Sequence, residues 1–416
     1  MIRIEKKILQ VDFLAGLAVA VVALPLALGF AVTTGAPPAA GIATAFVAGL
    51  IAAILGGSEY QVSGPTGAMT VILVPIVAKY GYPSLAVVGV VAGLLMVIAG
   101  ALRIGRYMER LPWSVMEGFT LGIALTIALQ QLPIVLNTLK GQGSEALVVA
   151  FETIKNTVWE QKTLLSIGLV LFALLVKFSW RNYSTRKEFK IFIPGSIIAV
   201  AATTLVAQVS DLDVPRVGNI DASTLFTWGL DTSNISVRAI ATAGIAIALL
   251  GGIESLLSAR MADAMVHRRD GYVERPHQPN RELIGQGVAT MASSFAGGMP
   301  ATGAIARTSV NIHAGAKTRW ASAIHALLLI TFVLFLEPLV SQIPMAALAG
   351  VLIGTSWRIA NPSSVREALQ TTRLERVTFL ATAAGVVAID LIWGIILGLV
   401  VHIIFSRRIK WQQQHR

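Results

Sequence analysis

The residues Ser63-Gly64-Pro65-Thr66-Gly67-Ala68 open one short apolar segment, and Gly298-Met299-Pro300-Ala301-Thr302-Gly303-Ala304 open another. Both stretches place Pro, Thr, Gly and Ala in the same order. Proline is tolerated at the first helical turn, threonine caps a helix, and glycine lets a ligand approach the backbone. Each stretch therefore predicts the start of a helix, here called a half-helix. The alternative is that both are ordinary kinks or loops, and the matched pair favours half-helices.

The composition places these segments in a membrane. Of 416 residues, 55% are hydrophobic and only 13% are charged, and the mean hydropathy is +0.72. A soluble chain carries charge on about a quarter of its residues, so much of this surface must face lipid. The absence of cysteine excludes disulfide frameworks, thiol catalysis and zinc-thiolate sites. We expect no metal, no cofactor and no enzymatic activity, because the sequence contains none of the usual hydrolase or phosphate-loop motifs.

A helix needs about 20 mostly apolar residues to cross a bilayer, and such stretches recur along the whole chain. The predicted fold is an all-α polytopic membrane protein with about fourteen spans. They lie near Phe13–Thr33, Ala39–Leu55, Thr66–Ala78, Leu85–Ala101, Val115–Leu136, Leu164–Val176, Ile191–Val209, Arg238–Ala259, Leu283–Ala296, Thr302–Ala314, Ala321–Phe335, Met345–Thr355, Val377–Ile389 and Leu391–Phe405.

The distribution of basic residues predicts the orientation, because cytoplasmic loops carry an excess of Lys and Arg. With both termini inside, the cytoplasmic segments hold 26 of the 33 basic residues. The net charge of +11 is therefore a topology signal and not a nucleic-acid footprint. We predict a multi-pass protein of the cell membrane (inner or plasma membrane) with both termini cytoplasmic.

The matched half-helices predict an anion site. A helix start presents unpaired N–H groups and about half a positive charge, so two starts that converge near the membrane midplane bind a small anion without a basic side chain. Glu254 lies inside the eighth predicted span, where a carboxylate is costly unless it is solvated, paired or protonated. We predict that Glu254 carries a coupling proton, with Ser258 one turn away on the same helical face. The alternative is a structural pair with Arg260 or Arg307.

Arg307 and Phe30 can each be interpreted in two ways from the sequence. Arg307 lies four residues beyond Gly303, a little over one turn into the second half-helix. It either adds positive potential to the site or anchors the helix towards the inner cavity. Phe30 lies in the first span after Pro25, and from the residues alone packing towards lipid is favoured over lining a cavity.

The sequence resembles the sulfate permease (SulP/SLC26) family of anion transporters over nearly the whole chain. The resemblance rests on these runs: Leu24-Pro25-Leu26-Ala27-Leu28-Gly29-Phe30-Ala31, Gly56-Gly57-Ser58 through Ser63-Gly64-Pro65-Thr66-Gly67, Glu254-Ser255-Leu256-Leu257-Ser258-Ala259, Asn280-Arg281-Glu282-Leu283-Ile284-Gly285-Gln286-Gly287, and Gly297-Gly298-Met299-Pro300-Ala301-Thr302-Gly303-Ala304-Ile305-Ala306-Arg307.

The resemblance implies two inverted repeats of seven spans, residues 1–236 and 237–416. A core domain (spans 1–4 and 8–11) would move against a gate domain (spans 5–7 and 12–14) in an elevator-like motion. It implies that the anion is surrounded by Phe30, Thr66, Gly67, Ala68, Thr302, Gly303 and Ala304. Glutamate at position 254 resembles the proton-coupled members, whereas a sodium-coupled branch has aspartate there. Members usually end in a cytosolic STAS domain, which this sequence is not expected to contain, and their Tyr-Gly-Leu-Tyr run is Ala40-Gly41-Ile42-Ala43 here.

The leading hypothesis is proton-coupled symport of a small anion such as sulfate, bicarbonate or a dicarboxylate. The alternatives are an uncoupled anion channel or exchanger of the same fold, or a nucleobase-cation symporter. The last typically carries an additional carboxylate in the tenth span, and Gly303–Arg307 contains none. The expected partners are the anion, a proton rather than sodium, and the lipid bilayer; whether the chain forms a homodimer stays open.

Overall fold

The computed structural model describes residues 6–108, 112–139, 141, 145–186, 195–220, 226, 230, 235–389 and 391–414. It is mostly helical (78%), as the sequence predicts. In chain order its elements are α1 Lys6–Thr34, α2 Pro38–Leu55, β1 Ser63–Gly64, α3 Gly67–Tyr80, α4 Ser84–Ala101, α5 Gly105–Met108, α6 Trp113–Leu129, α7 Leu132–Val135, α8 Ala146–Lys155, α9 Gln161–Arg186, α10 Gly195–Val209, α11 Val237–Asp270, α12 Pro279–Phe295, β2 Thr302–Gly303, α13 Ile305–His313, α14 Trp320–Val340, α15 Met345–Ala360, α16 Pro362–Gln370, α17 Arg373–Ala388 and α18 Leu391–Gln414.

Seven helical segments of the described residues are long and apolar enough to cross a membrane. They are α1, α2, α4, α9, α11, α14 and the segment Trp113–Val135, and α3, α10 and Trp393–Ser406 are shorter apolar helices. The chain is therefore a multi-pass membrane protein. The count of fourteen spans and their inverted-repeat arrangement stay predictions. The first four residues of the predicted seventh span, 191–194, lie outside the described residues.

The chain divides into two compact units. The first unit consists of Met1–Glu109 and Leu169–Val351, and the second consists of Arg110–Gly168 and Leu352–Arg416. The boundaries fall inside α9 and α15. The assignment of spans to a core and a gate domain stays a prediction.

The first unit is built on closely packed helices. Within it α12 packs against α4 and α2, α1 packs against α14, and α11 packs against α4. A β carbon built at Gly93 of α4 would lie 2.4 Å from the carbonyl oxygen of Gly287 in α12. Only a glycine fits there, and its small size lets the two backbones approach closely. The resulting van der Waals contact stabilises helix packing within a lipid bilayer, where the hydrophobic effect does not drive helices together.

The second unit also contains helices that pack closely at a glycine. Its helix α17 packs against α6 and α18, and a β carbon at Gly118 of α6 would lie 2.4 Å from the carbonyl oxygen of Phe379. Small residues therefore set the helix spacing here as well.

The start of the second half-helix differs from the prediction. A helix was predicted over Thr302–Ala314, but Thr302 and Gly303 form a strand and the helix α13 begins at Ile305. Thr302 and Gly303 form a strand because they pair with β1. Backbone N–H and C=O groups that bond to β1 cannot also bond within a helix that begins earlier. Arg307 is consequently the third residue of α13 and lies in its first turn, not beyond it.

Candidate functional site

The two matched stretches meet as an antiparallel strand pair. Ser63 lies opposite Gly303 and Gly64 lies opposite Thr302, and the N–H of Ala304 donates to the carbonyl oxygen of Val62 at 2.9 Å. Each strand is followed within three residues by a helix, α3 or α13. The first turns of both helices therefore lie beside one strand pair, which is the convergence that the matched stretches predict.

Thr66 caps α3 at its predicted start. Its hydroxyl accepts the N–H of Met69 at 3.5 Å, and its backbone is extended, as is usual for a residue in this position. By helix geometry the N–H groups of Gly67 and Ala68 have no acceptor within α3. Gly67 and Ala68 are buried, so these two donors are shielded from bulk water at the place where an anion is predicted to bind.

Glu254 lies next to this helix start. The hydroxyl of Thr66 donates to the Oε2 atom of Glu254 at 3.1 Å, and Glu254 is half-buried in α11. Within the described residues no ion pair of 4.0 Å or less to Glu254 is found, and the alternative of a structural pair with Arg260 or Arg307 stays open. One threonine hydroxyl thus connects a carboxylate to the positive end of a helix.

A second set of hydrogen bonds ties α11 to β2. The hydroxyl of Thr302 donates to the carbonyl oxygen of Gly251 at 3.2 Å, and the N–H of Gly303 donates to the Ser255 hydroxyl at 3.1 Å. The hydroxyls of Ser255 and Thr302 also lie 2.9 Å apart, a hydrogen bond in which either oxygen can be the donor. These polar groups of Thr302 and Gly303 are therefore occupied in this structure, and the free donors of the second half-helix are those of its first turn.

The other predicted residues occupy different environments. Ala304 is half-buried and precedes α13. Ser258 is buried, and its hydroxyl lies 3.2 Å from that of Thr308, not on Glu254. Phe30 is buried, with 6% of its surface exposed, in α1, which packs against α3 and α13. Packing of Phe30 towards lipid, favoured by the residues alone, is therefore wrong.

Arg307 lies behind the strand pair. Its side chain is buried, with 1% exposed, and its Nη2 atom donates to the carbonyl oxygen of Pro65 at 2.8 Å. The Nη1 atom has no hydrogen-bond partner among the described residues and lies 2.5 Å from the position of a β carbon at Gly64. A buried guanidinium in contact with β1 adds positive potential close to both helix starts.

Sequence reasoning missed a group of buried polar side chains around β1. The hydroxyl of Ser63 donates to Gln286 at 2.6 Å, and the amide of Gln61 is pressed against Gly303. Both polar atoms of Gln61, both ring nitrogens of His325 and the amide nitrogen of Gln286 have no partner among the described residues. Buried polar atoms of this kind are usually satisfied by ordered water. Gln286 was part of a recognised run, but nothing in the sequence predicts that Gln61 lies against Gly303 or that His325 lies near Gly49.

Glu282 holds the segment that leads to β1. Its Oε2 atom accepts the N–H groups of Gly57 at 2.8 Å and Ser58 at 3.1 Å, and the N–H of Gln278 donates to the carbonyl oxygen of Gly57 at 3.0 Å. The carboxylate is 2% exposed. The start of α12 therefore fixes the segment between α2 and β1.

The comparison with known families agrees with this geometry. The model of the sulfate permease family matches residues 9–382. The chain belongs to this family. Among its sulfate permease relatives is the putative sulfate transporter YvdB of Bacillus subtilis (strain 168), which is 33% identical over 415 residues, covering 96% of this chain and 74% of YvdB. The bicarbonate transporter BicA of Picosynechococcus sp. is 29% identical over 406 residues, covering 94% of this chain and 69% of BicA.

Solved structures show the same fold. The transmembrane domain of a cyanobacterial BicA matches with a TM-score of 0.83 and 26% identity, covering 94% of this chain and 98% of that one. The structure of SLC26A9 matches with a TM-score of 0.81 at 17% identity, covering 96% of this chain and 66% of that one, which shows the fold alone. The resemblance inferred from the motifs is confirmed, and the chain is a member of a family of transmembrane anion transporters, not of enzymes.

Proposed function

We propose that this sulfate permease family member is a secondary active transporter that carries a small oxyanion together with a proton. Sulfate, bicarbonate and dicarboxylates are the substrate candidates, because relatives are named sulfate and bicarbonate transporters and because backbone dipoles select charge and size more than identity. The anion would lie between the starts of α3 and α13. Phe30, Thr66, Gly67, Ala68, Thr302, Gly303 and Ala304 would surround it, with Arg307 adding positive potential from behind.

The observation that carries the proposal is the hydrogen bond from Thr66 to Glu254. It brings an ionisable carboxylate to the helix start at which the anion would bind. An ionised Glu254 competes with the anion for the same positive potential, whereas a protonated Glu254 does not. Binding of the proton and binding of the anion therefore favour each other, so the doubly occupied carrier is populated in preference to either singly occupied one, as suits symport.

The size of this coupling follows from Coulomb's law. Two unit negative charges about 6 Å apart repel by about 3 kcal/mol at an effective dielectric constant of about 20. Neutralising Glu254 would thus raise the affinity for a monovalent anion by about a hundredfold. A sodium ion held by the carboxylate would act in the same direction, so the coupling ion has to be distinguished by experiment.

We further propose an elevator motion of a core domain (spans 1–4 and 8–11) against a gate domain (spans 5–7 and 12–14). The fourteen spans would form two inverted repeats, residues 1–236 and 237–416, with both termini cytoplasmic. The matched half-helices and the resemblance to the family support this arrangement.

Uptake into proteoliposomes tests the proposal. Labelled sulfate or bicarbonate uptake is measured with an inward proton gradient, with the gradient collapsed by a protonophore, and with an inward sodium gradient instead. We expect the proton gradient alone to accelerate uptake, and Glu254→Gln to transport without that acceleration, because the amide mimics the protonated acid. Glu160→Gln, a change at an exposed position just before α9, is the matched control and should keep the response.

Four outcomes would contradict parts of the proposal. An unchanged gradient response in Glu254→Gln would refute the role of that carboxylate. Acceleration by sodium alone would assign a different coupling ion, and currents beyond the turnover of a carrier would indicate a channel. Competition by uracil but not by sulfate or bicarbonate would favour the nucleobase alternative.

A further inference from the structure

A surface cavity of about 550 Å³ lies in the first unit, away from the strand pair. Its wall comes from three places in the chain: the segment between α2 and β1, the segment 275–281 that leads into α12 and includes its first turn, and the residue before α14. Three arginines line it, Arg275, Arg281 and Arg319, together with one carboxylate, Glu59. All three wall segments belong to loops predicted to be cytoplasmic. The residues that line the cavity carry three positive charges and one negative charge, and the carboxylate of Glu282 lies behind the lining residue Gly57.

One arginine and the carboxylate form a fixed part of the wall. The Nη2 and Nε atoms of Arg319 lie 2.5 Å and 3.1 Å from the two oxygens of Glu59. The Nη1 atom of Arg319 donates to the carbonyl oxygen of Ile54 at 2.9 Å. The N–H donors of Arg319 therefore bond to other residues of the chain, and its guanidinium neutralises the carboxylate of Glu59 in a two-point ion pair.

The other two arginines retain free donors. Arg275 reaches Glu59 only at 4.0 Å, and 60% of its side chain is exposed. Arg281 donates its Nε hydrogen to the carbonyl oxygen of Leu55 at 3.2 Å, and among the described residues no acceptor is found for its two terminal nitrogens. The Nε bond also orients the guanidinium of Arg281. The cavity thus presents two guanidinium groups, one oriented by a hydrogen bond and one exposed at the rim.

This chemistry fits a phosphate group. A guanidinium presents parallel N–H donors that match two oxygens of a phosphate, and it gives up its hydration more readily than an ammonium group. The cavity also adjoins the start of α12, where Pro279 follows the wall residue Gln278, so the helix dipole adds positive potential. The volume is ample for a phosphate ester.

The surroundings of the cavity are apolar. Ile54 and Leu55, whose carbonyl oxygens accept bonds from the cavity arginines, are 52% and 42% exposed. Trp320, next to Arg319, is 48% exposed, and tryptophan is enriched at the level of lipid headgroups. Basic pockets beside such apolar surface bind the headgroups of anionic lipids in membrane proteins.

We propose that this cavity is a binding site for a phosphate group, carried either by the headgroup of an anionic phospholipid or by a soluble phosphate compound. A bound phosphate would bridge Arg281, at the start of α12, and Arg275. Both lie next to the segment between α2 and β1 that Glu282 holds. None of the residues that line this cavity belongs to the proposed anion site. The phosphate site can therefore be confirmed or refuted independently of the transport mechanism.

Thermal unfolding of the 416-residue chain tests this site. The unfolding midpoint is measured in detergent while dioleoyl phosphatidylglycerol, dioleoyl phosphatidylcholine or inorganic phosphate is titrated. We expect phosphatidylglycerol or inorganic phosphate to raise the midpoint, and phosphatidylcholine, whose headgroup has no net charge, to have a much smaller effect. Arg275→Gln and Arg281→Gln should each raise the half-maximal concentration about tenfold, the usual effect of losing one charge-assisted contact. Both positions are at the surface, and the unliganded midpoint checks that each variant folds.

Arg268→Gln is the matched control, because it removes one exposed charge from the predicted cytoplasmic end of α11. It should shift the half-maximal concentration by less than about twofold if the effect is local and not a general attraction to basic surface. Stabilisation by the lipid alone assigns a headgroup, and stabilisation by inorganic phosphate assigns a soluble ligand. The proposal is overturned if neither probe stabilises the parent, or if the stabilisation persists unchanged in Arg275→Gln and Arg281→Gln. The latter result with inorganic phosphate would locate the binding in the anion pathway.

Discussion

The contact between Gly303 and Gln61 provides the sharpest test of the strand pair. Gly303 is not among the residues with positive φ, so alanine fits the backbone conformation there. The obstacle is the side chain of Gln61: a β carbon at position 303 would lie 1.5 Å from its Nε2 atom and 2.4 Å from its Cδ atom. Gly303→Ala therefore forces the buried amide to move.

The expected cost is that of overpacking a closely packed interior, about 1–3 kcal/mol. Gln61 forms no side-chain hydrogen bond to the described residues, so Gln61→Ala sacrifices packing but no protein hydrogen bond. In the double variant the new methyl group occupies space that the amide has left. We expect the double variant to be more stable than the sum of the two single changes implies, by about 1–2 kcal/mol.

The assays are the thermal unfolding midpoint in detergent and the initial rate of anion uptake. Gly303→Ala should lower the midpoint by roughly 3 °C or more and slow uptake, and addition of Gln61→Ala should restore part of both. Gly168→Ala is the control, because a β carbon there meets nothing within 4 Å and alanine favours the helix. A Gly303→Ala protein with the parent's midpoint, or strictly additive effects in the double variant, would refute the reasoning.

Two further predictions concern the segment before β1. Glu282→Ala leaves the buried N–H groups of Gly57 and Ser58 without an acceptor and should lower the free energy of unfolding by about 2–4 kcal/mol. Glu282→Gln keeps one acceptor oxygen and should cost less. Equal thermal midpoints for the two variants would contradict the role of the carboxylate. For Glu59, burial opposes ionisation, but the hydrogen bond and charge of Arg319 and the charge of Arg275 outweigh it and hold the pKa below its ordinary value of 4.5. The ionised pair therefore stabilises the fold at neutral pH by about 1 kcal/mol, and this contribution is lost as the pH falls through the lowered pKa. The midpoint of Glu59→Gln should lie below that of the parent at pH 7, and the gap should close in acid below about pH 4.5; a gap independent of pH would exclude the ion pair as its cause.

The sequence predicted the features that depend on local chemistry. Thr66 caps a helix that begins one residue later because a threonine hydroxyl at that position accepts a backbone N–H. The apolar segments were recognisable from length and composition, and Glu254 stood out because a carboxylate inside such a segment is costly. Each of these inferences needs only a residue and its near neighbours along the chain.

The features that the sequence did not predict depend on pairing between distant residues. Nothing local indicates that Thr302 and Gly303 continue as a strand, because a strand of two residues is stabilised by its partner and not by its own preference. The same holds for Ser255, which adjoins Glu254 in sequence yet bonds to β2, while Thr66 and not Ser258 reaches the carboxylate. A hydroxyl has no preferred partner until the fold supplies one.

The candidate site depends on local helix chemistry and on contacts between distant residues. The helix starts supply positive potential, but strand pairing and the Ser255 bonds decide where that potential lies relative to Glu254. Ser255 and Glu254 are adjacent on α11, so the serine fixes β2 while the glutamate contacts the cap of α3. A shift of α11 along its axis would therefore disturb both contacts at once. The carboxylate is thus held in register with both half-helices by neighbouring residues of one helix, as an anion site that responds to the protonation of Glu254 would require.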